Sequence, residues 1–178
     1  PLNPTGFARE YSRAEEPWIE AQSSKRLEIC MARPAWILGS GSWFYSSFVK
    51  PALRNSVVPI YGSGDNAMSL IDVRDCASLI ARAGLNESVP EVVNLVGPTA
   101  DISQNTFAQL VAERMALSTT KLCKTTRKSL FSDKAGWESL TSSIPIYSSH
   151  EWFYSDFSYE AKTIEESIEH HLKSAQPS

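Results

Sequence analysis

The chain of 178 residues carries 17 basic and 20 acidic side chains, a formal net charge of -3 and an apolar fraction of 42%. That length supports one domain with a sizeable core. The mild acidity argues against nucleic acid or an anionic membrane as a partner, since both reward concentrated positive charge.

Residues 1–12 carry two prolines and a glycine and read as a loop or a severed end; the chain opens on PLNPTG without Met, as if cut from something longer. From Ser12 to Ser24 the apolar residues Ala14, Trp18, Ile19 and Ala21 recur at near-helical spacing. Ser12 is the expected cap, Glu15 supports a capping box, and Pro17 disturbs the first turns. Leu27–Ala32 reads as a buried strand that Arg33-Pro34 ends. Trp43–Leu53 is apolar and aromatic, opened by Ser42, and reads as a helix that ends or kinks at Pro51. Val57–Tyr61 and Met68–Val73 are expected strands joined by GSGDN, a composition suited to a turn.

Asp75 is the expected cap of a helix with Ala77, Ile80 and Ala81 on one face, closed by Gly84. Glu91–Val96 reads as a strand, and Ser103 caps a helix whose Phe107, Leu110, Val111 and Met115 form an apolar stripe. Thr119–Cys123 is a further strand candidate. From Lys128 to Tyr159 the pattern is poor and aromatic-rich, with a short helix expected near Ser132–Leu140. Its aromatics, Phe131, Trp137, Tyr147, Trp152, Phe153, Tyr154, Phe157 and Tyr159, fit either a pocket lining or a face packed against a further domain. Thr163-Ile164-Glu165-Glu166 is a capping box opening the last helix, with Ile164, Ile168 and Leu172 inward.

Few residues announce chemistry. Cys30, Cys76 and Cys123 lie in separate apolar runs without CxxC spacing and read as core residues in a reducing, cytoplasmic compartment. His150, His170 and His171 have no metal-ligand spacing, so no metal is expected. Lys121, Lys124, Arg127 and Lys128 read as a solvated face, and Asn86-Glu87-Ser88 matches a glycosylation sequon. No stretch approaches the ~20 apolar residues of a membrane helix, and no signal-peptide pattern opens the chain. Strands alternating with helices indicate an α/β fold, yet the Gly-rich turn that usually opens a dinucleotide-binding sheet is nowhere present. Gly39-Ser40-Gly41 and Gly62-Ser63-Gly64 read as tight turns; the first also leaves N–H groups near a helix start at Ser42, a fair place for an anion.

From Arg33 to Asp75 the sequence resembles the C-terminal half of the extended short-chain dehydrogenase/reductase family, the NAD-dependent epimerase/dehydratases. Arg33-Pro34, four residues and then Gly39 is similar to that family's strand-end element. Ile60-Tyr61-Gly62-Ser63-Gly64, then Ile71-Asp72-Val73-Arg74-Asp75-Cys76-Ala77, is similar to its later element. Glu91–Gly97 with the Ser-capped helix, and the closing Thr163 helix, fall in the family's order, so the resemblance covers nearly the whole chain.

The resemblance implies the C-terminal part of a Rossmann-like parallel sheet plus a small α/β substrate-binding lobe. Residues 1–55 would complete the Rossmann-like region, and residues 56–178 would form mainly the lobe. It implies NADP or NAD as cofactor of the full-length protein, a small-molecule substrate, and a missing N-terminal Rossmann half as the partner that binds the dinucleotide; this portion alone would bind none well. Pro34, Ala35 and Trp36 would approach the nicotinamide, although a plain strand-to-loop packing element explains them too. Gly39, Trp43 and Met68 would wall the substrate pocket.

Two departures bear on catalysis. Ala14-Glu15 fits the family's Ala-Glu, which puts Phe7 where the catalytic Tyr stands and Tyr11 where the Lys stands. Phe cannot transfer a proton, and Tyr11, the one candidate acid, lacks a lysine at the right spacing. Met68 replaces an Arg that would hold a substrate phosphate, which favours an uncharged substrate. The expected function is therefore an NAD(P)-dependent epimerase/dehydratase-like oxidoreductase acting on a small carbonyl or hydroxyl compound. The alternatives are a non-catalytic dinucleotide-binding sensor or scaffold of the same family, and an unrelated α/β binding domain.

Overall fold

The computed structural model describes residues 8–24, 27–86, 88–98, 101–122, 134–148 and 150–175. Phe7, Cys123, Lys124, Arg127, Lys128 and Phe131, the middle residue of the sequon and the start of the helix expected at Ser132 lie outside them. Along the described chain run α1 (Ala8–Ser23), β1 (Met31–Pro34), β2 (Trp36–Leu38), a π-helical turn (Tyr45–Val49), α2 (Lys50–Asn55), β3 (Val57–Tyr61), β4 (Ala67–Met68), β5 (Leu70–Asp72) and α3 (Val73–Leu85). Then come β6 (Val92–Leu95), β7 (Ile102–Ser103), α4 (Gln104–Met115), β8 (Ser118–Leu122), α5 (Lys134–Thr141), a 3-10 turn (Glu151–Tyr154) and α6 (Ile164–Ala175).

The strands pair two by two. β1 runs parallel to β6, β2 to β5 and β3 to β8, while β4 and β7 are antiparallel. Parallel pairs need crossovers, and α3 and α4 lie in the segments that make them. The fold is thus α/β with parallel pairing, as the alternation of elements predicts.

The β2–β5 pair separates two apolar cores by simple alternation along each strand. Trp36, Leu38 and Leu70 belong to the larger core, which gathers Phe44, Phe48, Phe107, Val111 and Trp137. Ile37 and Ile71 belong to the smaller, with Val93, Leu95, Leu79 and Phe153. In the larger core Phe48 meets Phe107 edge-on at 5.1 Å and Tyr61 at 5.5 Å between ring centroids, geometries that aromatic rings favour.

Several boundaries differ from the sequence expectations, each for a local reason. The first helix begins at Ala8, so Ser12 lies inside it and caps nothing. The first strand starts later than expected and runs through Arg33-Pro34. Met31 and Ala35 both donate to the β6 side, so the intervening even position leaves Pro34's donorless nitrogen facing away from β6. The helix through Pro51 does not end there. Proline cannot donate to the carbonyl four residues back, that of Ser47, and the turn before it widens so that Lys50 N–H bonds Tyr45 O. The Tyr61 hydroxyl donates to the orphaned Ser47 carbonyl instead.

The strand expected over Met68–Val73 breaks at Ser69 and stops at Asp72, because Asp72, not Asp75, caps α3: its side chain accepts from Arg74 N–H. Gly84 falls inside the last turn, and the helix closes at Asn86. The caps at Ser103 and Thr163 are as expected, Ser103 Oγ accepting from Thr106 N–H at 3.1 Å and Thr163 Oγ1 from Glu166 N–H at 3.2 Å. Gly62 and Gly64 both adopt positive φ, +69° and +79°, and a Cβ on Gly64 would lie 2.3 Å from Asn105 Oδ1.

Candidate functional site

Crevices in open α/β sheets form beyond the C-terminal ends of parallel strands, and one lies there in this chain. β6 ends at Leu95, and the chain continues through Val96 and Gly97 across the start of β5. Gly97 N–H bonds Leu70 O at 3.0 Å, and a Cβ on Gly97 would sit 2.7 Å from that oxygen, so only glycine fits this approach. Beside it opens a cleft of about 340 Å³, lined among the described residues by Ser69, Val96, Gly97, Asp101, Tyr147 and Ser148 together with the apolar Leu70, Pro98 and Ile146.

The polar edge of the cleft is one connected group. The Ser69 hydroxyl donates to Asp101 Oδ1 and accepts from Ile146 N–H at 2.7 Å. The Tyr147 hydroxyl bonds the same carboxylate, and that bond, with the carboxylate's charge, holds the phenol above its ordinary pKa. Behind the wall, Tyr154 donates to Asn94 O and Tyr159 to Val96 O, the latter at 3.2 Å, fixing the end of β6. Burial, the largest cause, raises the Tyr154 phenol and pushes Tyr159 up to about 12.

On the other side of Leu70, Gly97 and Pro98 is a second cavity of about 20 Å³, bounded by Asp72, Ser167 and Ile164. It has room for about one water molecule. Here Asp72, buried, joins α3 to α6: its Oδ2 accepts from Ser167 Oγ at 2.5 Å, lies 3.1 Å from His171 Nε2 and accepts from Arg74 Nη2 at 3.0 Å. Burial alone would raise this carboxyl, but the bonds from His171, Arg74 and Ser167 outweigh it and hold it well below the usual carboxylate range. Asp75 is the opposite case. Fully buried, it accepts from Glu160 N–H at 2.7 Å and Ala161 N–H at 3.3 Å, yet desolvation dominates and its pKa is raised. These two acids are structural pins of the C-terminal segment.

None of the candidate site residues singled out from sequence lines this cleft. Pro34 is exposed at the end of β1. Ala35 is buried with its N–H on Leu95 O at 2.8 Å, and Trp36 N–H bonds Ser69 O at 3.0 Å. Gly39 is buried, where a Cβ would meet Val73 Cγ1 at 3.2 Å. Trp43 stacks edge-on against Trp36 at 4.7 Å, half-buried, with its indole Nε1 buried and unpartnered. Met68 is 2% exposed in the larger core and pairs with Ile102; Ser69, one residue on, is the one that meets the cleft. Tyr11 is 70% exposed on α1, a helix that buries no residue and is held to β1 by the Arg33–Glu15 ion pair.

Sequence reasoning missed Ser69, Asp101 and Tyr147 as a group. They lie in segments 32 and 46 residues apart, and only Tyr147 stood in a stretch flagged as a pocket lining. The aromatic region divides in the structure: Trp137 and Phe153 are core, while Tyr147 and Trp152 are exposed.

The phosphates of a dinucleotide need a cradle of free N–H groups at a Gly-rich turn; the turns at Gly62 and Gly64 are packed against Thr141 and Asn105 instead. No group of three His, Cys, Asp or Glu able to hold a metal occurs among the described residues, and no helix among them is long and apolar enough to cross a membrane.

Comparison with known proteins supplies the frame for this geometry. No family model matches the sequence, and no curated protein matches it significantly. Solved structures do match. A dTDP-glucose 4,6-dehydratase from Bacillus anthracis in complex with NAD superposes with a TM-score of 0.75 at 17% identity, over 97% of this chain and 53% of that one. A UDP-N-acetylglucosamine 4-epimerase from Methanobrevibacter ruminantium in complex with UDP-N-acetylmuramic acid matches with a TM-score of 0.71 at 14% identity, over 97% and 54%. A human epimerase family protein with NADPH matches with a TM-score of 0.66 at 18% identity, over 81% and 48%. The chain spans about half the length of these structures. At such identities the likeness shows the fold: the Rossmann-like architecture of the NAD-dependent epimerase/dehydratases, as the resemblance implied.

Proposed function

We propose that this chain is the substrate-binding portion of an NAD(P)-dependent epimerase/dehydratase-like oxidoreductase that acts in the cytoplasm on a small carbonyl or hydroxyl compound. Its dinucleotide is held by a Rossmann half beyond the residues described. The observation that carries this reading is the cleft of about 340 Å³ beyond the C-terminal end of β6, edged by Ser69, Asp101 and Tyr147. That volume is at the small end of the range for ligand pockets, and the location is where this fold class binds ligands. The unpaired Cys30 and Cys76 suit a reducing compartment.

A nicotinamide would supply hydride chemistry; this chain's own share is to bind and orient the substrate and exclude water. Tyr147 is the exposed phenol at the cleft and is a hydrogen-bond donor, not a base, since Asp101 holds its proton in place.

That last point favours a second reading, a non-catalytic dinucleotide-binding sensor. Among the described residues no Lys, Arg or His lines the cleft, and its three neighbouring phenols are all raised rather than lowered in pKa. The test joins this chain to its dinucleotide-binding half, titrates NADPH and NADH, and follows nicotinamide absorbance against a panel of ketones, aldehydes and secondary alcohols. Turnover with at least one compound supports the oxidoreductase. Tight dinucleotide binding without turnover on any of them replaces it with the sensor.

A further inference from the structure

We infer that the cleft beside Gly97 selects a hydrogen-bond-donating, non-anionic ligand, a polyol or amino alcohol, and that Asp101 is the residue that sets this selectivity. The inference rests on reading the cleft as the substrate pocket and adds the chemical class of its occupant.

The charge of the lining decides the class. Among the nine described lining residues Asp101 is the only charged one. Its partners are both neutral hydroxyls, Ser69 and Tyr147, and no described lining residue brings a cation to offset the carboxylate. Two hydroxyl donors leave acceptor capacity on a group that offers roughly four lone-pair sites. A phosphate or carboxylate ligand would need an Arg or Lys fork to offset its desolvation and would instead face a half-buried anion. A ligand hydroxyl donates to Asp101 without penalty, and an ammonium adds charge attraction that a partly enclosed site screens less than bulk water does. The remaining walls, Leu70, Val96, Pro98 and Ile146, suit the carbon faces of such a molecule. Ser69 fixes the carboxylate, because its own hydroxyl is locked by Ile146 N–H at 2.7 Å.

The test uses one carbon skeleton in three charge states: glucosamine, glucose and glucose 6-phosphate, titrated into the chain while its backbone amides are followed by NMR. No dinucleotide is added, so a failure of turnover and a failure of this inference are read separately. Glucosamine is expected to shift the amides of Ser69, Gly97 and Ser148 and to bind about tenfold more tightly than glucose 6-phosphate, with glucose between them. Equal or tighter binding of glucose 6-phosphate overturns the inference, as does the absence of shifts at those amides with all three sugars. Asp101→Asn is expected to abolish the preference for the amine. Should that variant lose its dispersed spectrum, Tyr147→Lys, at a side chain 68% exposed, seats an ammonium beside Asp101 and should abolish it too. A preference that survives in the folded variants overturns the assignment to Asp101.

Discussion

Asp72 illustrates how one side chain can hold two elements and set an acid limit on stability. It caps α3 through Arg74 N–H and reaches α6 through Ser167 and His171. Its carboxyl is lowered in the folded chain, so between the folded and unfolded values the unfolded chain binds a proton that the native one does not, and acid favours unfolding. The stabilisation is complete above the unfolded value of about 4 and is lost as the pH falls below it. Asp75, raised by burial, has the opposite sign: its contribution is present at low pH and lost as pH rises. Asp72→Asn should therefore lower the unfolding free energy at pH 7 by about 2–3 kcal/mol. It should also flatten the decline of wild-type stability between pH 5 and pH 3, the interval around the unfolded carboxyl value. Urea unfolding of both proteins across that range checks the two statements together.

At the scale of elements, the sequence was read well where a local rule sufficed. Ser103 and Thr163 cap the helices they were expected to cap because each acts on its own first turn. Ser103→Ala should lower stability by about 1 kcal/mol, measured by urea unfolding, with α4 the element that loses its first-turn bond. The rules failed where a distant partner decides. Pro34 was expected to end a strand, but β6 pairs on the side where proline's nitrogen is not needed. Pro51 was expected to end or kink a helix; the turn before it widens but the helix continues, because Tyr61, ten residues later in sequence, replaces the lost donor. Asp75 was read as a cap because nothing local shows that Glu160 and Ala161 claim its carboxylate. The cleft was hidden for the same reason: Ser69, Asp101 and Tyr147 meet only once β5, the segment after β6 and the chain beyond α5 have assembled. The sequence pointed to the strand end at Arg33–Gly39, whereas the cleft is lined from the start of β5, the chain after β6, Asp101 and the segment Ile146–Ser148.

Across the whole molecule, two cores share the β2–β5 pair. Phe107, fully buried in the larger, and Phe153, 1% exposed in the smaller, anchor them. Truncation of either to Ala should cost about 3–5 kcal/mol. Because the cores meet through the same two strands, each change should move one cooperative transition, seen alike by far-ultraviolet circular dichroism and tryptophan fluorescence. Two separated transitions in either variant would show that the cores fold independently.

The same shared pair bears on how the chain finds its register. In a sheet with one wet face, a strand that slips by one residue trades a buried side for a solvated one, and that contrast specifies the register strongly. Neither face of β2–β5 is solvent. A one-residue slip would hand Trp36 and Leu38 to the smaller core and Ile37 to the larger, mismatching volume on both sides at once. Register at this pair is thus set by side-chain volume in both cores rather than by a contrast between a wet and a dry face.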